Sequence, residues 1–118
     1  MEKHTPEEME KNPEAYWINA EGIVRRVVPT HGKHFTYKEL QEYVRGENEE
    51  VGTSTVEIVP MPSGMQLVGN ENAKIIGLPY NKTASEVWKT EYPIEQYPNN
   101  NDETICGNVL ITDPSFLE

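Results

Sequence analysis

Ala73-Lys74-Ile75-Ile76-Gly77-Leu78-Pro79-Tyr80-Asn81-Lys82-Thr83 is the stretch whose reading decides the fold. Its first four residues, with two adjacent isoleucines, read as a β-strand. Gly77 and Pro79 end that strand. Asn81 or Thr83 then supplies a side-chain oxygen to cap a helix. The helix runs over about 83–90 and turns Ala84, Val87 and Trp88 to one face. Amides at such a helix start point outward, so the corner is a natural place for an anion.

Upstream of the corner, Thr55 to Met61 and Met65 to Val68 flank Pro62-Ser63-Gly64 and read as a hairpin. Asn70-Glu71-Asn72 turns into Ala73, so three strands form a meander. Before them, Thr36-Tyr37-Lys38-Glu39 is a capping box and Gly46 a helix stop. Tyr37, Leu40, Tyr43 and Val44 recur at spacings of three and four, which places a helix over 36–45 with one buried face. Ala15 to Ile18 and Gly22 to Val28 form an earlier hairpin around Asn19-Ala20-Glu21. Downstream, Tyr92 to Asp102 is a Pro- and Asn-rich loop, Ile105 to Ile111 a last strand and Asp113 to Leu117 a helical turn. The expected fold is α+β: an antiparallel sheet of five or six strands with helices at about 36–45 and 83–90. Residues 14–118 form one domain. Residues 1–13 read as an extension, flexible or briefly helical, opened by Thr5-Pro6-Glu7-Glu8 and stopped by Asn12-Pro13.

With 118 residues, the chain has the length of one ordinary domain, and 36% hydrophobic residues make a modest core. Ten Lys and Arg stand against twenty Asp and Glu, for a net charge of −10. That argues against a direct nucleic-acid binder, which needs cations to displace counterions from phosphates. The charge is uneven. Residues 21–46 carry +2, the flanking segments −3 and −9. Cys106 is the single cysteine, so neither an intrachain disulfide nor a cysteine cluster for zinc is available. A reducing cytoplasm fits this usage. No apolar run is long enough to cross a membrane, and the acidic N-terminus is unlike a signal peptide.

The chemistry-bearing residues are few. Arg25 and Arg26 alternate faces on a strand, so at least one points away from the core. Lys33 and His34 follow on the next loop. If that loop meets the Gly77–Asn81 corner, they join Lys74, Tyr80, Asn81, Lys82 and Thr83 around a small anionic ligand. The plainer reading is a solvated edge strand with protective cations. His31 and His34 lack the third ligand that zinc requires. Cys106, between Ile105 and Gly107, reads as a buried, inert thiol. No metal, cofactor or catalytic motif is expected. Glu47, Glu49, Glu50, Glu91, Glu95, Asp102 and Glu103 lie on two loops and read as an acidic face.

Taken in order, Ile18-Asn19-Ala20-Glu21-Gly22, Gly32-Lys33-His34-Phe35-Thr36, Glu39-Leu40-Gln41, Val56 to Gly64, Gly77 to Asn81 and Ile105 to Ile111 carry a resemblance. The chain resembles a "domain of unknown function" family of small proteins common in bacteriophage genomes and mobile elements of gut bacteria. The resemblance runs from Tyr16 to Leu117. The acidic loop Glu47 to Thr55 and residues 1–13 depart from the family pattern. It implies a compact α+β domain and a phage setting, and transfers no catalytic residue. In that setting the expected function is a non-catalytic accessory protein with an anti-defence role in the host cytoplasm. It would sequester an anionic nucleotide-type signal or bind a host defence protein. Acidic DNA mimicry, an enzyme of unrecognised type, and an assembly role as a homo-oligomer are the alternatives.

Overall fold

The computed structural model describes residues 13–117. The expected extension at 1–13 therefore lies almost wholly outside the described residues. Five strands form one antiparallel sheet: β1 (Ala15–Ile18), β2 (Val24–Arg26), β3 (Val56–Pro60), β4 (Gln66–Asn70) and β5 (Val109–Thr112), in the spatial order β2-β1-β5-β4-β3. Two helices, α1 (Tyr37–Val44) and α2 (Lys82–Glu91), complete an α+β fold, and a 3-10 turn spans Pro114–Phe116.

The sheet has apolar residues on both faces, because side chains alternate along each strand. Ile18, Leu67, Val109 and Ile111 pack on one face with Ala84 and Trp88 of α2. Ala15, Val68 and Leu110 pack on the other with Phe35 and with Leu40 and Val44 of α1. The sheet is thus a middle layer between the two helices. β5 lies at its centre, which is why all four of its residues are buried.

Local chemistry explains the elements. Thr36 and Glu39 exchange the reciprocal hydrogen bonds of a capping box at the start of α1. The β3–β4 hairpin closes around Pro62-Ser63-Gly64, with Gly64 at φ +99° and Met61 N–H donating to Met65 O at 2.9 Å. The 92–103 loop is tied down by stacking and hydrogen bonds. Tyr92 lies 4.4 Å from the Trp88 ring and 5.0 Å from Tyr97, and Trp88 Nε1 donates to Asn100 O at 2.7 Å.

Two expectations need correction. Residues 73–76 are not a strand. Ile76 N–H donates to Asn72 O and Leu78 N–H to Ala73 O, so the segment coils through successive turns. β4 already has β3 on one side and β5 on the other, which leaves no edge for a third strand of the meander. The last strand starts at Val109 rather than Ile105. Gly107 adopts φ +82°, a left-handed conformation that interrupts the extended run, and Cys106 makes only an isolated bridge to Tyr80.

Candidate functional site

The turn segment 71–80 crosses one end of the sheet. It is held by a buried anchor, a slotted leucine and a capped helix. Ala73 is buried. Leu78 enters a slot between Gly46 and Gly107. A Cβ built on those glycines would stand 2.7 Å and 2.9 Å from the Leu78 methyls. Past the segment, Asn81 is fully buried. Its Oδ1 accepts from Ala84 N–H at 2.9 Å and caps α2, while its Nδ2 donates to Ile18 O at 3.1 Å and to Gly107 O at 2.8 Å.

Held this way, the segment becomes a ridge that exposes apolar side chains. Ile75 is 83% exposed, Ile76 44% and Tyr80 52%. A cleft opens on each side. The first, about 470 Å³, lies between the ridge, the β1–β2 turn and the loop after α1; Glu21, Arg45, Glu47, Ile76 and Asn108 are among its lining. The second, about 360 Å³, lies on the α2 face of the sheet and is lined in part by Leu67, Gly69, Lys74, Ile75, Trp88 and Cys106.

The nine expected ligand residues do not meet around one point. Asn81 bonds the Ile18 end of β1. The Ala15 end of the same strand accepts from Val27 N–H, and there Asp113 N–H reaches Glu14 O and Phe35 N–H reaches Phe116 O. Lys33 and His34, just before Phe35, therefore belong to the end of the sheet opposite the corner. Arg25 lies over the Trp17 ring at 5.4 Å, and Arg26 faces Glu14 at 3.9 Å. Lys74 Nζ is paired with Glu103 Oε2 at 2.7 Å, which holds its ammonium above the ordinary lysine range. Thr83 sits beside the β1–β2 turn near Gly22, and Lys82 is exposed at the first turn of α2. Tyr80 remains available on the ridge. Asn81 is committed to the fold, because both of its polar side-chain atoms already have partners.

The acidic face is also partly internal. Glu49 Oε1 accepts from Gly46 N–H, Ser54 Oγ and Asn70 Nδ2 at 2.7–2.8 Å. The Gly46 amide is the main cause that holds this carboxyl below its usual range; burial opposes it, and Ser54, Asn70 and Arg45 add to it. Glu91 accepts from the Ser63 amide and hydroxyl. Glu47, Glu50, Glu95 and Asp102 are exposed. His31 and His34 are exposed and line neither cleft. Among the described residues, no three His, Cys, Asp or Glu side chains are grouped to hold a metal ion, and no helix is long and apolar enough to cross a membrane. Cys106, expected to be buried, is half-buried at the second cleft.

Two residues that shape the site carry little signal in the sequence. Gly69 lies inside β4, one residue past the expected strand end at Val68, and a glycine inside a strand pattern signals close approach. Leu78 reads as part of a turn, and nothing local signals that it seats against Gly46 and Gly107. Comparison with family models, curated proteins and solved structures finds no match to this chain.

Proposed function

We propose that the chain is a non-catalytic binding protein that docks a basic protein surface on the 71–80 ridge. The observation that carries this reading is the exposure of Ile75, Ile76 and Tyr80 on one anchored segment, with carboxylates around it. Adjacent exposed isoleucines on a segment held at both ends suit a partner interface, since little conformational entropy is lost on docking. Glu21 and Glu47 on one side and Glu57 and Glu71 on the other favour a cationic surround, while Glu103 is paired with Lys74.

In the phage or mobile-element setting that the resemblance implies, the partner is a host defence protein, and binding it is an anti-defence act. Sequestration of a small anionic signal draws less support, because the cations are divided between the two ends of β1. The test is affinity capture from a host that carries active phage defence. The wild-type chain retains a basic protein at low salt, and the double variant Ile75→Asp/Ile76→Asp loses it. Equal retention by both chains, or no rescue of phage when the protein is expressed under defence, overturns the reading.

A further inference from the structure

The second cleft is open to solvent and has a chemistry of its own. Its floor is the α2 face of β4 and β5, where Leu67 and Val109 are buried. Gly69, itself buried, lies beside them in the sheet and adds no side chain above the floor. A Cβ there would stand 3.5 Å from Leu67 Cδ2 and 3.8 Å from Val109 Cγ1, in ordinary contact. Trp88 and Ile105 supply further apolar lining.

The charges around this apolar space are not balanced. Glu57 pairs with Gly69 across β3 and β4, so its side chain leaves the sheet on the same face, beside the open floor. Glu71 and Glu103 also line the cleft. Lys74 is the single lysine or arginine in the lining, and it is already paired with Glu103. Glu57 and Glu71 make no ion pair among the described residues.

We infer that this cleft binds a small organic cation, an amine carried on an apolar or aromatic body. The body lies on Leu67, Val109 and the space over Gly69, against Trp88. The ammonium turns outward to Glu57 and Glu71. An anion of the same shape would meet a lining in which Glu57, Glu71 and Glu103 outnumber Lys74, and a neutral isostere would forgo the charge contact. The volume, about 360 Å³, lies at the small end of ligand pockets. This cleft shares Glu57, Glu71 and Ile75 with the surroundings of the ridge, but its test uses the isolated protein and small amines, so its failure is distinguishable from failure of partner docking.

The experiment is an amide NMR titration of the full chain with 2-phenylethylamine, 2-phenylethanol and 3-phenylpropionate. Cys106 lines the cleft and is the single cysteine, so its rate of thiol labelling is an independent reporter. The amine is expected to shift the Gly69 amide and the Trp88 indole N–H, to slow Cys106 labelling, and to bind about tenfold tighter than the carboxylate. Glu57→Gln/Glu71→Gln, two exposed positions, removes the preference for the amine. Gly69→Ala weakens all three compounds while keeping the fold, and Gly69→Val abolishes binding if it too remains folded by circular dichroism. Equal binding of amine and carboxylate, shifts confined to other regions, or no shift at millimolar amine overturns the inference.

Discussion

At the residue scale, Asn81 shows how one buried amide joins three elements. It caps α2 and satisfies carbonyls at the end of β1 and at Gly107. Asn81→Ala removes the cap and the side-chain hydrogen bonds to the Ile18 and Gly107 carbonyls, so it is expected to cost about 2–4 kcal/mol in a urea melt. Asn81→Asp keeps a good capping oxygen but sets a carboxylate against both carbonyls. It is expected to be at least as destabilising at neutral pH, and a mild Asp variant would show that capping alone matters. Glu49 carries a prediction about pH. Its folded pKa lies below the ordinary carboxylate value, with the Gly46 amide as main cause. The sign follows directly: the stabilisation is complete above the unfolded value, about 4.3, and is lost as pH falls through the folded one. The stability gap between wild type and Glu49→Gln is therefore largest near neutrality and shrinks below about pH 4. A gap independent of pH would show that the carboxylate charge is not what matters. Charge reversal aimed at the acidic face has to spare Glu49, since it would dismantle the loop as well as the surface.

At the element scale, the ridge depends on how Leu78 is seated. Gly107 is both left-handed and in contact with Leu78, so Gly107→Ala is strained by backbone and by crowding. A loss of about 1–3 kcal/mol is expected. Leu78→Ala relieves the crowding, so the double variant is expected to lose less than the two single losses combined. Additive losses in that cycle would show that the slot is not tight. The helix at 36–45 was legible because a capping box and an apolar period coincide in a short segment. The isoleucines at 75 and 76 misled for the opposite reason. Strand propensity describes a half-buried pleat, and here no neighbouring strand was free to supply one.

At the scale of the whole molecule, a net charge of −10 meets few compensating contacts: three ion pairs join the described residues. Self-repulsion therefore opposes the compact state. Raising salt to about 1 M, where screening acts within about 3 Å, is expected to raise Tm. The same salt is expected to weaken partner capture. A Tm that falls with salt would mean that attractive pairs outweigh repulsion.

The sequence by itself determined the α+β class, both hairpins, the bounds of both helices to within one residue and a terminal helical turn, which the structure shows to be 3-10. Caps, turn glycines and apolar periods are local signals, readable within about ten residues of chain. Only the tertiary structure decided that β5 enters between β1 and β4, that α1 and α2 cover opposite faces, and that residues 73–76 stand out as a ridge. It also separated the basic loop from the Gly77–Asn81 corner, and it opened a cleft over Gly69. These outcomes depend on which segments far apart in the chain become neighbours. Pairing of that kind is set by competition among strands for edges and among apolar faces for cover. No local pattern records the result.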